Sequence, residues 1–218
     1  MSESVLVSTI DTIDMEEEAS MDETVLDTIR RRRTIRRYTD EDVTDEQVDT
    51  LLEMAMSAPN RLNRQPWHFI VIRDKELQKR LADHLGLHPY LETAPVVIAA
   101  AARPEVSSTW QMDLSAAIEN LLIAATAMGL GTAWVGEPGS VLWSMTEEML
   151  HDSLHIPTQL GVRIPALIAV GHPAQERPPH TRADRFDHTK VHYGLWEGRR
   201  LDKGEQPPIW AGTSKDSK

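Results

Sequence analysis

Two stretches of this chain carry residue types that bind ligands rather than fill a core. The first is Arg32-Arg33-Thr34-Ile35-Arg36-Arg37-Tyr38, which sets several fixed positive charges just past the end of a short helix. The second is Ala58-Pro59-Asn60-Arg61-Leu62-Asn63-Arg64-Gln65-Pro66-Trp67-His68-Phe69, a turn rich in amide side chains that runs into an apolar strand. Guanidinium forks match the oxygens of a phosphate, and carboxamides both donate and accept hydrogen bonds. A ligand that joins a phosphate to a planar ring edged with donors and acceptors would use both stretches. Flavin mononucleotide (FMN) is such a ligand.

The totals narrow the chemistry. At 218 residues the chain suits one good core, and its 40% hydrophobic and 26% charged content belongs to a globular protein. It has no cysteine, which excludes disulfides, cysteine-ligated zinc, iron–sulfur clusters and thiol nucleophiles. The acidic N-terminus lacks a basic region followed by an apolar core, and no apolar run reaches spanning length, so a cytoplasmic protein without a membrane partner is expected. The net charge of -11 argues against a nucleic-acid surface, which needs a surplus of lysine and arginine. The arginine run is an island in an acidic protein and suits a small anion.

The positioning elements can be read in order. Residues 1 to 21 form an acidic extension, the domain is expected over 22 to 197, and a polar tail over 198 to 218. Asp22 is a plausible N-cap for a helix in which Val25, Leu26 and Ile29 mark one buried stripe. Thr44 and Gln47 have capping-box spacing ahead of a helix with Val48, Leu51, Leu52 and Ala55 on its buried face, stopped by Pro59. Phe69 to Ile72 reads as a strand, Lys75 to Leu85 as a helix ending at Gly86, and Ala94 to Ala101 as a second buried strand. Asp113 to Met128 is a helix apolar on nearly every face, central to a core or an interface and closed by Gly129. Gly131 to Gly136, Val141 to Leu154 and Pro165 to Gly171 follow as strand, amphipathic helix and strand. Val191 to Trp196 is too aromatic to hang free. Trp67 and Trp134 are expected in the core.

Some chemistries find no support. There is no G-x-G-x-x-G fingerprint and no G-x-S-x-G elbow. His84 with His88, and His151 with His155, have helical spacing, but no glutamate completes H-E-x-x-H and Gly86 interrupts one pair. No metal site is expected.

The arginine run, Ala58 through Trp67, Gly129-Leu130-Gly131-Thr132-Ala133-Trp134-Val135-Gly136 and Val191-His192-Tyr193 occur in one order, and together they resemble the FMN-dependent nitroreductase family over about Asp22 to Trp196. That resemblance implies an α+β fold, a mixed sheet flanked by helices, completed as an intertwined homodimer with FMN at the interface. It implies that Arg32, Arg33, Thr34 and Arg36 hold the ribityl and phosphate groups, and that Pro59, Asn60, Asn63 and Gln65 reach the flavin. Backbone around Thr132, Trp134, Val135 and Gly136 would face the ring, Arg182 or Arg185 would complete the phosphate site, and the strand near Val191 to Trp196 would cross onto the partner. Asn60 stands where the family often has serine, and Arg64 at the mouth would favour anionic substrates.

The implied activity is hydride transfer from NAD(P)H through flavin N5 to an electron-poor small molecule such as a nitroaromatic or quinone, in ping-pong order, with no catalytic side chain required. The residues leave open a flavin oxidase, a dehydrogenase or a reductive dehalogenase on the same fold, and a non-catalytic flavin-binding regulator.

Overall fold

The computed structural model describes residues 24–196, which fall into two compact units divided after Pro179. The N-terminal extension, the expected cap at Asp22 and the polar tail lie outside the described residues.

The first unit is built on four strands, β1 Trp67–Ile72, β2 Val96–Ala102, β3 Gly131–Val135 and β4 Arg163–Gly171, in the order β1-β2-β4-β3. Every pair of named strands is antiparallel, with Trp67 opposite Ala102, Val96 opposite Val170 and Gly131 opposite Gly171. The parallel component of the expected mixed sheet is an isolated bridge between Thr34 and Thr132.

β2 explains why helices lie on both faces. Its residues alternate between two cores: Val96, Ile98, Ala100 and Ala102 join one, and Val97, Ala99 and Ala101 join the other. A strand buried on both sides has no polar face to alternate, which is why it reads as a continuous apolar run. The first core is completed by α2 Asp45–Met56 and α5 Trp110–Ala127, the second by α3 Lys75–Leu85, α4 Tyr90–Thr93 and α6 Val141–Ser153. A helix α1 over residues 24–31 precedes them.

Local sequence sets the helix ends. Thr44 and Gln47 form the reciprocal capping box ahead of α2, and Asp74 accepts from the N–H groups of Glu76 and Leu77 at the start of α3. α3 ends at Gly86, whose φ of 64° is left-handed backbone. Strand and helix starts deviate from the sequence reading by two or three residues: β1 begins at Trp67 and α5 at Trp110. α6 is tied to β4 by Trp143, only 2% exposed, whose indole N–H donates to the Ile164 carbonyl at 2.9 Å.

Two expectations fail here. Val25, Leu26 and Ile29 are 58%, 53% and 46% exposed; the buried residue of α1 is Thr28. Their spacing marks a face to be covered, and the described residues of this chain leave it open. Trp134 is 40% exposed, unlike Trp67, because on the lateral strand β3 it shares a face with Ile168 at the margin of the first core, beside a hollow against α5.

The second unit begins with α7 Arg182–Arg185, capped reciprocally by Thr181 and Asp184, and a 3-10 turn over His188–Lys190. His192 stacks on Trp196 with centroids 4.5 Å apart. Tyr193, Leu195 and Trp196 stay exposed, so the expectation that this aromatic segment is buried is not met among the described residues.

Replacing Trp143 by Phe takes the indole donor away from the buried Ile164 carbonyl, an expected loss of about 1–2 kcal/mol. Urea unfolding followed by circular dichroism should show the midpoint fall with an unchanged slope; an unaltered midpoint would show that this tie contributes nothing.

Candidate functional site

The arginine run leaves α1 and becomes an added edge to the sheet. The Ile35 N–H donates to the Thr132 carbonyl at 2.8 Å, and Ile35 itself is buried at 7% exposure, so the segment lies along the free side of β3. From that seat the guanidiniums diverge. Arg32 pairs with Glu119 of α5 at 3.3 Å, Arg33 donates to the Pro178 carbonyl, and Arg36 lies over the Tyr90 ring, 5.7 Å from its centroid. Tyr38 closes the segment by donating its hydroxyl to the Ile35 carbonyl at 2.8 Å. Burial pushes that hydroxyl's pKa well up, so it remains a donor.

The amide turn is held in an unusual backbone. Leu62, Asn63 and Gln65 all have left-handed φ values, 52°, 54° and 48°. Non-glycine residues held there cost about 1 kcal/mol or more each and persist only where the surroundings over-determine them. The determinants are visible. The Asn60 amide oxygen accepts from the Gln65 N–H at 2.9 Å, and the Gln65 side-chain amide donates to the Asn63 oxygen at 3.1 Å. Asp113, 5% exposed, accepts from the Arg61 N–H at 3.2 Å, the Ser107 hydroxyl at 2.6 Å and the Thr109 hydroxyl at 3.1 Å. Asp113 falls at the helix start expected from the sequence, where nothing local assigns it a role. The available signal was an acid within an otherwise almost uncharged helix.

Beyond β3 the chain passes Gly136, where a Cβ would run into the Pro165 carbonyl oxygen, so only glycine lets this exit lie against β4. Trp134 stands between two depressions. One, about 280 Å³, lies between Leu87, His88, Gly136 and Leu142; the other, about 220 Å³, lies between Gln111, Ile118, Pro138 and Pro165. Burial and the nearby Arg36 charge lower the His88 pKa, so the imidazole is neutral at pH 7, and its Nδ1 lies 2.8 Å from the Tyr90 hydroxyl. Thr132 and Val135 are buried and present only backbone.

One chain therefore brings together part of the expected set. Thr34 and Ile35 lie beside Thr132, because the bridge joins them, while Trp134 to Gly136 follow further along β3. Pro59, Asn60, Asn63 and Gln65 precede β1, at the other lateral edge of the sheet, three strand spacings or about 14 Å across. Arg182 and Arg185 lie in the second unit, where Arg182 sits over the Phe186 ring at 4.0 Å and Arg185 donates to His180 at 3.1 Å. Among the described residues no cluster of histidine and acidic side chains converges as a metal site.

An antiparallel sheet covered on both faces, with an arginine-bearing segment fastened to its edge strand, defines an α+β ligand-binding protein. The chain belongs to the nitroreductase family, whose sequence pattern matches residues 29–89 and 84–172. It is 35% identical over 180 residues, 80% of this chain and 99% of the relative, to a protein of Archaeoglobus fulgidus provisionally named NADH dehydrogenase/NAD(P)H nitroreductase. Among solved structures it is similar to an FMN-dependent nitroreductase of Clostridium difficile at a TM-score of 0.72, with 27% identity, covering 78% of this chain and 99% of that one. It is also similar to a provisionally named nitroreductase of Desulfovibrio desulfuricans solved in complex with FMN, at a TM-score of 0.62 and 37% identity, covering 71% and 91%.

Replacing Asp113 by Asn keeps the volume and removes a charged acceptor from three donors. The expected cost is about 2 kcal/mol, read as a fall in melting temperature of about 4–8 °C in a chain of this size. A thermal scan that leaves the midpoint in place would show that the turn holds itself without this carboxylate.

Proposed function

We propose that the protein is an NAD(P)H-dependent FMN oxidoreductase that acts as a homodimer on an electron-poor small molecule. The observation that carries this reading is the Thr34–Thr132 bridge, which sets guanidinium donors beside the start of β3 in a chain of this family.

The donor set fits FMN. Among the described residues Arg33 and Arg36 have no carboxylate within ion-pair distance, so each keeps charge for a phosphate. The exposed amides of Asn63 and Gln65 offer the mixed donors and acceptors that a flavin ring edge requires. The amide turn and the arginine edge flank opposite sides of one sheet, an arrangement that suits a ligand held between two copies. The open stripe on α1 and exposed Val141, Leu142 and Met145 on α6 give such a pairing apolar surface to bury.

Arg32, Arg33, Thr34 and Arg36 would hold the phosphate and ribityl end, with Arg182 or Arg185 as a further cation. Pro59, Asn60, Asn63 and Gln65 would orient the ring from the partner copy, with the backbone of Thr132, Trp134, Val135 and Gly136 against its face. Held there, FMN would supply the hydride chemistry that links a reduced nicotinamide to the acceptor. The chain's share is to fix the ring, hold positive charge near it and shut out water. Arg64, exposed on the turn, favours acceptors that carry negative charge.

The purified protein should be yellow, with a chromophore of FMN mass, and NADH or NADPH should bleach it anaerobically before nitrofurazone or menadione restores the colour. A colourless protein that takes up no added FMN ends this reading, and bound flavin that no nicotinamide reduces turns it toward a flavin-binding regulator. Arg33→Ala should weaken FMN binding about tenfold with little change in thermal midpoint; equal FMN affinity in both proteins would remove Arg33 from the site. Light scattering should give a dimer mass, and a stable folded monomer that binds FMN would contradict the shared site.

A further inference from the structure

A second concentration of positive charge lies on the α4 side of the arginine run. Arg36, Arg37, Arg177, Gln175, Thr93 and Tyr90 line an open cleft of about 600 Å³. None of its lining residues is acidic, and among the described residues none of the three arginines has an ion-pair partner. In a protein of net charge -11 that concentration is a local reversal of sign. Backbone pairing builds the cleft: Thr39 N–H donates to His172 at 2.9 Å, Ala174 N–H donates to Arg37 at 2.9 Å, and Tyr38 bridges Pro173. These bonds set the segment bearing Arg37 beside the one that leads to Arg177. Arg36, seated over Tyr90 and assigned above to the flavin's phosphate end, forms one wall, and Arg37 and Arg177 remain as the cleft's own cations.

We propose that this cleft binds the adenosine end of the electron donor and selects a dinucleotide with a 2′-phosphate, so that the protein uses NADPH in preference to NADH. The proposal rests on the oxidoreductase reading above and adds the donor's identity to it. A phosphate monoester carries nearly two charges at neutral pH and three free oxygens, against one charge for each phosphate of a pyrophosphate diester. Guanidinium forks without acidic partners match the monoester best, since each can bind two of its oxygens. Leu87 and Pro89 add apolar surface for a base, and Leu87 also lines the depression beside Trp134, so one side chain borders both hollows. A donor can then rest its charged end among the arginines while its other end lies toward the expected flavin ring.

Calorimetry on the full chain tests this directly with adenosine 2′,5′-bisphosphate and 5′-AMP as probes, compared between wild type and Arg37→Ala/Arg177→Ala. The wild type should bind the bisphosphate at least about tenfold more tightly than AMP, and the double variant should lose that preference while its FMN affinity and thermal midpoint stay in place. In steady-state assays KM for NADPH should rise about tenfold in the variant, with kcat and the KM for NADH unmoved. Arg177→Gln alone, a milder change at an exposed residue, should show part of the same shift. Equal binding of the two probes by wild type, or a preference that survives in the double variant, overturns the proposal. So does a parallel loss of FMN affinity, which would assign these arginines to the flavin's own phosphate. Bisphosphate discrimination in a protein that oxidises no nicotinamide would keep the cleft and remove the oxidoreductase reading instead.

Discussion

A single backbone pairing, the Ile35 N–H on the Thr132 carbonyl with its accompanying bridge at Thr34, organises the chemistry of this protein. Without it, the residues after α1 would be a solvated run of cations. With it, they become an edge to the sheet, Ile35 is driven into the protein, and the charged neighbours on either side are held out from it in three directions. Side chains as long as arginine gain specificity only when their backbone is fixed, because the entropy of ordering them otherwise opposes binding.

The sheet supports that edge by being buried on both faces. β2 and β4 supply the two cores, and the small alanines of β2 let helices approach from either side. β1 and β3 are left as lateral edges, and each carries one of the two polar stretches. On the reading proposed above, that division is the reason neither stretch would make a complete site alone, and oligomeric state would then bear on chemistry as well as on stability.

Much of this architecture was legible in the residues because local rules agreed with one another. The capping box at Thr44, the glycine stop at Gly86 and the apolar runs of β2 and β4 are all signalled within a few residues. What could not be read depended on distant partners. The α1 stripe has the spacing of a buried face, but spacing names a face and not its cover. Trp134 looks like a core residue by type and becomes exposed by its place on an edge strand. Asp113 acts on a turn about fifty residues away, through oxygens that no local pattern ties to it. The divergence of Arg32, Arg33 and Arg36 is likewise a product of what each meets in the fold rather than of their shared motif.

Leu62 carries one more implication. Its backbone, at φ 52°, is one that glycine would adopt without penalty, yet the position holds a branched aliphatic side chain that is 74% exposed. Economy of folding alone would favour the smaller residue. Standing among carboxamides and arginines, that side chain gives the turn one apolar point, so the loop shows solvent a surface of mixed character.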